Sequence, residues 1–318
     1  MTPMSRDPLV SVIVPTLNRP AELPEALASI AAQQDVDPGD VEVIVVNDGG
    51  TPAGHAAAAA RERGLPVTVV DHPRRLGLPS ARNTGLGRAR GRWIAFLDDD
   101  DVFLPRHLAT ALAALESGAD GVITTCLVSD RRTGPAGPPA DAVPWDVGFD
   151  PLLLETCNLL PVHAAVFRRP GGARLDPALP SLEDWDFWLR LVREHRYRFT
   201  RVDEPTAVYH RLPASGSMIT AIEDGAAPMA EFSALVRRTW ARWPATTPRS
   251  ARFRSHLGIM YWQALGLLAT GQAPDPHYYL RTVQALEHAW HHPDSEANLP
   301  ELIALAVRGG DADGRHAA

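Results

Sequence analysis

Lysine is missing from the sequence: each of the 31 Lys+Arg side chains among the 318 residues is an arginine. Mechanisms that need a lysine amine are therefore excluded, including a Schiff base, a pyridoxal-phosphate anchor and the lysine of a P-loop. Phosphate binding is not excluded, because arginine stays charged and grips phosphate through a planar fork. With 38 Asp+Glu the formal charge is -7. Nucleic acid is therefore disfavoured as the main partner, since duplex binding needs a basic face.

Cysteine is nearly missing too, with only Cys126 and Cys157. Two cysteines cannot form a disulfide framework, and no His or Cys cluster has zinc-site spacing, so inert core thiols are expected. No stretch reaches the roughly 18 apolar residues of a membrane span. The first residues, Met1 to Pro8, lack the apolar core of a secretory signal. We therefore expect a soluble, cytoplasmic protein without a membrane span.

Short apolar segments alternate with helical patterns along the first hundred residues. Strands are predicted at 9–14, 41–46, 66–70 and 93–97, and helices at 21–34, 53–63, 80–90 and 105–117. Strands that are apolar throughout and separated by helices are typical of a parallel sheet covered on both faces. The predicted class is therefore α/β, with a doubly wound, mostly parallel sheet. Later elements are a strand at 121–127, a Pro- and Gly-rich loop at 133–144, a strand at 162–168 and a helix at 182–195.

The pattern becomes helical from about residue 223, with helices predicted at 229–240, 250–270 and 276–290. The predicted organisation is a first domain over 1–222, a helical C-terminal subdomain over 223–308 and a disordered tail over 309–318. Two interpretations stay open for the aromatic set of the helical part, a core or a homodimer interface: Trp240, Trp243, Tyr261 and Trp262.

Three polar clusters follow predicted strands: Pro15 to Arg19, Asn47 to Gly50, and Asp98 to Asp101. Ligands of open α/β sheets bind outside the carboxyl ends of the strands, so these clusters together outline a crevice. Each cluster alone is also explained by a helix cap or a turn. No Gly-x-Gly-x-x-Gly follows the first strand, so a Rossmann dinucleotide site is unsupported.

The four adjacent aspartates, Asp98 to Asp101, repel one another, and local folding does not require them. A divalent cation would remove this repulsion, and Mg²⁺ or Mn²⁺ prefers carboxylate and phosphate oxygens. The alternative is a solvated acidic turn that caps the helix near Pro105, a macrodipole effect of only about 0.3–1 kcal/mol.

Five sequence blocks resemble the inverting glycosyltransferases of family 2, which have the GT-A fold. They are VSVIVPTLNR (10–19), VEVIVVNDGG (41–50), RLGLPSARNTGL (75–86), GRWIAFLDDDD (91–101) and LEDWDFWLRL (182–191). Their order and intervals also match, over roughly Leu9 to Met218, whereas the helical part lies outside the resemblance. The resemblance implies a GT-A domain over 1–222, with nucleotide-sugar binding at about 1–128 and the acceptor side at about 129–222.

Donor-binding residues can be placed by this resemblance. The first nucleotide-contacting loop corresponds to Pro15, Thr16, Asn18 and Arg19. Asp48 corresponds to the carboxylate that binds the base, and Arg82 to a basic residue near the diphosphate. The Asp-x-Asp motif corresponds to Asp98, Asp99 and Asp100, with its last position on the metal. Because Asp101 is an aspartate too, the assignment of the metal ligand within the run stays open by one place. His210 corresponds to a histidine near the metal or diphosphate, although the order His210-Arg211 departs from the usual family pattern.

The pair Glu183-Asp184 matches the general-base motif of the family, with Asp184 as the preferred base and Glu183 as the second choice. An inverting transfer needs one carboxylate to take the proton of the acceptor as it attacks the anomeric carbon. The alternative is a capping box, in which Asp184 reaches back to the Ser181 amide.

The resemblance implies a metal-dependent, inverting transfer from a nucleotide-sugar, with a UDP-sugar as the expected donor and Mn²⁺ or Mg²⁺ as the cofactor. The acceptor is a glycan, a lipid-linked molecule, a peptide or a small natural product. A sugar nucleotidyltransferase is the second hypothesis, but its Gly-rich loop is absent from Pro15 to Arg19. A non-catalytic nucleotide-sugar-binding scaffold is the third.

Overall fold

The computed structural model describes residues 7–133, 137–138, 140–212 and 225–309. These residues divide into two compact units, one within Met1–Trp145 and Leu160–Leu212 and the other within Asp146–Leu159 and Pro213–Ala318. The predicted boundary at 222–223, the tail beyond residue 309 and part of the predicted loop at 133–144 lie outside the described residues. Residues 146–159 group with the helical unit, which the sequence did not indicate.

The first unit is an α/β structure built on one sheet. Its strands are β1 (Val10–Thr16), β2 (Val41–Asn47), β3 (Val67–Asp71), β4 (Trp93–Phe96), β5 (Val102–Phe103), β6 (Gly121–Ser129), β7 (Val143–Trp145), β8 (Ala165–Arg168) and β9 (Phe199–His210). Its helices are α1 (Leu23–Ala31), α2 (Gly54–Glu62), α3 (Leu78–Arg88), α4 (His107–Leu115) and α5 (Glu183–Arg193).

Strand order in the sheet is β3-β2-β1-β4-β8-β6-β9-β5, and β7 pairs with β6. The pairs β1–β2, β1–β4, β2–β3 and β6–β9 are parallel. Each residue of β1, β2 and β4 is buried, because the apolar runs of these strands are covered on both faces. The predicted α/β class with a mostly parallel sheet is confirmed.

Strand β8 runs antiparallel to both β4 and β6. Its first residue, Ala165, therefore lies at the edge where β4 ends, and its last, Arg168, lies at the edge where β4 begins. This reversal brings the segment before β8 to the carboxyl edge of the parallel strands. Strand β9 pairs with β6 over a register shift at Thr124 to Cys126.

The amino edge of the sheet contains a buried polar network. Glu42 on β2 accepts hydrogen bonds from the Ser11 hydroxyl at 2.6 Å and from the Arg90 amide at 2.7 Å. Gly91 has no room for a side chain, because an added Cβ would lie 2.6 Å from the Ser11 nitrogen. Close backbone contact therefore fixes the turn that precedes β4.

The second unit contains four α-helices among its described residues: α6 (Ala226–Arg242), α7 (Pro248–Ala269), α8 (Tyr278–His291) and α9 (Leu299–Arg308). The segment 146–159 is bound to them by side-chain hydrogen bonds. Trp290 donates to the Asp150 carboxylate at 3.0 Å, and Trp240 donates to the Thr156 carbonyl at 2.9 Å. Of the other three aromatic residues that the sequence assigns to a core or a dimer interface, Trp243 and Tyr261 are buried whereas Trp262 is 71% exposed. None of the described helices has the length and apolarity needed to cross a membrane.

Candidate functional site

The carboxyl ends of β1, β2 and β4 lie side by side at one edge of the sheet. Thr16 is paired with Asn47 in the parallel register of β1 and β2, and Ile13 is paired with Phe96 of β4. Continuous apolar strands end at this edge, and each is followed by polar residues. The structure thus brings together the three clusters that the sequence predicts, Pro15 to Arg19, Asn47 to Gly50 and Asp98 to Asp101.

Side chains link the loops that follow these strands. The Thr16 hydroxyl donates to Asp99 Oδ2 at 2.6 Å, and Arg19 Nη1 donates to Asp100 Oδ2 at 2.5 Å. Asn18 has a left-handed backbone (φ 57°), and its Oδ1 accepts from the Thr51 amide at 2.9 Å. Each bond joins segments that follow or end different strands, so these bonds link the loops that form the rim of the site.

Asp48 is 4% exposed and its carboxylate is engaged by the segment before α3. Oδ1 accepts from the Leu76 amide and Oδ2 from the Gly77 amide, both at 2.8 Å. His72 Nδ1 lies 2.7 Å from Oδ1. Gly77 is the N-cap of α3, so the carboxylate lies where the helix macrodipole favours a negative charge. Asp48 therefore has three protein partners at the position where the resemblance implies contact with a base.

Burial makes three carboxyl groups of the aspartate run, Asp99, Asp100 and Asp101, costly to ionise. It raises the pKa of Asp99 to about 7, against the opposing hydrogen bond from Thr16. It also raises the pKa of Asp100, and the pKa of the fully buried Asp101 lies well above its usual range. The side chain of Asp98 is 29% exposed. In the absence of a cation, Asp99, Asp100 and Asp101 favour the protonated form more than ordinary aspartates do.

Arg82 joins the aspartate run to the Glu183-Asp184 pair. The arginine is 2% exposed; its Nη2 donates to Asp98 at 2.7 Å and its Nη1 to Glu183 at 2.6 Å. Burial opposes its charge, but Asp98 and Glu183 nevertheless hold the pKa of Arg82 above its usual value. Asp98 and Glu183, which are 16 and 101 positions from Arg82 in the sequence, thereby share one buried guanidinium.

Helix α5 presents two adjacent carboxylates with different surroundings. Glu183 is 3% exposed; burial raises its pKa to about 7 although the Arg82 guanidinium opposes this shift. Asp184 is half-buried. The buried side chains of Trp185 and Trp188 anchor the helix against the core. The helix begins at Glu183 with Leu182 as its N-cap (φ 63°), one residue later than a capping box on Ser181 requires.

A group of potential metal ligands lies beside the predicted motif. One ligand atom from each of Asp98, Asp101 and His163 lies within 4.8 Å of the other two. His163 Nδ1 is 3.2 Å from Asp101 Oδ2, yet among the described residues neither buried atom makes a hydrogen bond. Burial lowers the pKa of His163 to about 4, so the imidazole is neutral and able to bind a metal. Carboxylate-rich donors and orphaned buried atoms fit a divalent cation such as Mn²⁺ or Mg²⁺.

His163 was not among the residues predicted from the sequence. It lies in the 3-10 turn Val162–Ala164 directly before β8, in a segment predicted to be strand. The antiparallel register, in which Ala95 faces Val166, brings His163 opposite Asp98 when it is continued past the strand end. A histidine just before a strand indicates a residue at the carboxyl edge of the parallel strands only when the direction of that strand is known.

The predicted metal ligands Asp100 and His210 lie next to this group but have protein partners. His210 Nδ1 is 2.6 Å from the Asp100 carbonyl oxygen, and Nε2 accepts from the Thr133 amide at 3.1 Å. The Asp100 carboxylate pairs with Arg19. His210 also donates its backbone N–H to Asp101 at 2.7 Å. Both ring nitrogens of His210 are thus engaged within the protein.

Comparison with known proteins places this arrangement in a family. The family described as "Glycosyl transferase family 2" matches residues 11–170. An uncharacterized glycosyltransferase of Haemophilus influenzae is 30% identical over 206 residues, which cover 62% of this chain and 66% of that protein.

Two solved structures share the fold. Staphylococcus aureus TarS (residues 1–349) in complex with UDP-GlcNAc has a TM-score of 0.53 and 18% identity, over 94% of this chain and 81% of that one. The mannosyltransferase PcManGT of Pyrobaculum calidifontis, in complex with GDP-Man and Mn²⁺, has a TM-score of 0.52 and 20% identity, over 95% of this chain and 86% of that one. The fold is of the GT-A type, as the resemblance implied. With half of its length matched by the family, the chain belongs to glycosyl transferase family 2 and is a glycosyltransferase.

Proposed function

We propose that the protein is a metal-dependent, inverting glycosyltransferase that moves a sugar from a nucleotide-sugar to an acceptor hydroxyl or other nucleophile. The observation that carries this proposal is the buried Arg82, which holds Asp98 of the donor side and Glu183 of the base motif within one network. A diphosphate near Asp98 and an acceptor near Asp184 would then lie on either side of one guanidinium. That proximity is what an in-line transfer needs.

Asp184 is proposed as the general base. A base must be reached by the acceptor, and Asp184 is half-buried whereas Glu183 is nearly inaccessible and paired with Arg82. The Asp184 carboxylate would accept the acceptor proton as the new glycosidic bond forms and the bond to the diphosphate oxygen breaks. Glu183 then serves to fix Arg82.

The donor diphosphate is proposed to lie at Arg19, Arg82 and the aspartate run. In the structure these arginines pair with Asp100 and Asp98, so cationic and anionic groups of the site neutralise one another. We propose that Asp98, Asp101 and His163 hold the cation. The alternative ligands are Asp100 and His210, which the family resemblance implies. When bound, such a cation supplies Lewis-acid stabilisation of the leaving diphosphate.

A UDP-sugar is the proposed donor, and Pro15, Thr16, Asn18 and Asp48 are proposed to contact its nucleoside. The known complexes of related fold support a nucleotide-sugar, since TarS holds UDP-GlcNAc and PcManGT holds GDP-Man with Mn²⁺. The acceptor side is proposed to involve residues 129–222.

A thermal-shift and product assay tests the proposal. UDP and Mn²⁺ together should raise the melting temperature more than either one alone and more than GDP with Mn²⁺, because ligands that bind only the folded state stabilise it. Mass spectrometry should then detect a glycosylated acceptor from a panel of nucleotide-sugars. Pyrophosphate release from a nucleoside triphosphate and a sugar phosphate would replace the proposal with a nucleotidyltransferase. Nucleotide binding without any transfer would favour the scaffold hypothesis.

A further inference from the structure

An arginine-lined cavity lies at the amino edge of the sheet, opposite the edge where Asp98 to Asp101 lie. It is open, has a volume of about 540 Å³ and is lined by Asp7, Pro8, Leu9, Arg90, Arg92, Arg168 and Arg169. The lining residues thus include four arginines and one aspartate, in a chain whose formal charge is -7. The volume falls within the range of about 300–1,000 Å³ that is usual for small-molecule sites.

Strand pairing forces two of these arginines together. Trp93 faces Arg168 in the antiparallel pair of β4 and β8, and the Arg169 amide donates to the Arg92 carbonyl at 2.8 Å. Arg92 and Arg169 therefore face each other across the strand pair. Like charges placed directly opposite are unfavourable in a sheet, and a bound anion would remove the repulsion.

The guanidiniums are also held in position. Arg90 pairs with Glu42 at 2.9 Å, and Arg168 pairs with Asp120 at 3.0 Å. Arg92 lies over the Trp93 ring at 5.0 Å from its centroid, and Arg169 donates to the Ala89 carbonyl at 3.2 Å. Guanidiniums that are already positioned lose less conformational freedom when they bind a ligand.

Two of the four arginines keep their charge unpaired. Within the part of the chain that the structure describes, neither Arg92 nor Arg169 has a carboxylate within ion-pair distance, and Asp7 has no arginine within that distance. A planar guanidinium binds phosphate oxygens in bidentate fashion. We propose that this cavity, which we call the arginine pocket, binds a phosphate-bearing anion through Arg92 and Arg169, with Arg90 and Arg168 completing the site. This site is independent of the proposed donor site.

Calorimetry with inorganic pyrophosphate, in the presence of a chelator that removes divalent cations, tests the proposal. The wild type should bind pyrophosphate, and Arg92→Gln/Arg169→Gln should bind at least about tenfold more weakly, because two charge-assisted contacts are lost. The matched control Arg63→Gln/Arg238→Gln removes two exposed arginines elsewhere and should bind as the wild type does. Arg92→Lys/Arg169→Lys should recover part of the affinity, since the charge returns without the planar fork.

A second measurement identifies the source of the phosphate. Sedimentation with vesicles of phosphatidylcholine and phosphatidylglycerol, compared with phosphatidylcholine alone, reports binding of lipid headgroups. Vesicle binding that the Gln pair loses supports the pocket with a headgroup as ligand, and pyrophosphate binding alone supports a free phosphate compound. The proposal is overturned if the wild type binds neither probe, or if the Gln pair binds as tightly as the wild type. UDP and Mn²⁺ binding should be the same in the wild type and in the three variants, so a failure here does not bear on the donor site.

Discussion

Replacing Arg82 with methionine should destabilise the first unit in a way that depends on pH. The variant removes the guanidinium that donates to Glu183 at 2.6 Å and to Asp98 at 2.7 Å. Asp98 is partly exposed and can be hydrated, but Glu183 is 3% exposed and cannot. Without the guanidinium, the buried Glu183 carboxyl is either ionised with no charge partner or protonated, and pH decides which form is present.

The size of the effect follows from the pKa of Glu183. Burial raises this pKa to about 7 in the folded wild type, from an ordinary value of 4.5. Between those values the folded state holds a proton that the unfolded state has lost, so stability falls as pH rises, by about 1.4 kcal/mol per pH unit. Above about pH 7 this decline ends in the wild type, because the folded carboxyl is ionised too.

Without Arg82 the folded pKa of Glu183 rises further, so the decline continues. The gap in unfolding free energy between wild type and Arg82→Met should therefore be constant below about pH 6 and grow by about 1.4 kcal/mol per unit above about pH 7. Urea unfolding over a series of pH values measures this gap. The double variant Arg82→Met/Glu183→Gln lacks the Glu183 carboxyl and should show no such growth above about pH 7. A gap that stays the same from acid to alkaline pH would refute the reasoning.

Three further predictions concern catalysis, the cation and packing. Asp184→Asn should keep the nucleotide affinity of the wild type but lower kcat by about 10²–10⁴-fold, and steady-state rates at the wild-type level would exclude Asp184 as the base. His163→Gln should weaken Mn²⁺ binding in calorimetry by about tenfold or more, while a larger loss in His210→Gln would favour the ligand that the resemblance implies. Gly91→Ala should cost about 1–3 kcal/mol in urea unfolding, because its Cβ would meet the backbone of β1. The helical control Gly87→Ala, whose Cβ would meet nothing within 4 Å, should not destabilise the protein.

Strands that are buried on both faces were predictable from the sequence, since β1 and β2 are unbroken apolar runs between polar turns. Strand β9 was not predicted. Its sequence includes Arg201, Asp203, Glu204 and Pro205, which break the usual strand pattern. The pairing partner β6 and the register shift in this region accommodate them, so tertiary structure determines this strand.

The part of the candidate site that follows from strand order alone was predictable from the sequence. Asp48, Arg19 and the aspartate run meet because parallel strands end at one edge. The contact between Asp101 and His163 depends on the reversed direction of β8, and no local pattern contains that information. The three protein partners of Asp48 likewise come from a loop whose path only the folded chain defines.

The shared guanidinium of Arg82 couples two binding equilibria. If a ligand draws Asp98 away from Arg82, the guanidinium charge stabilises the Glu183 carboxylate more strongly. The pKa of Glu183 must then fall. Coupling free energies are reciprocal, so loss of the Glu183 proton must raise the affinity for the same ligand by an equal factor. Because one arginine lies between two carboxylates, proton release at the start of α5 and ligand binding at the end of β4 are thermodynamically coupled.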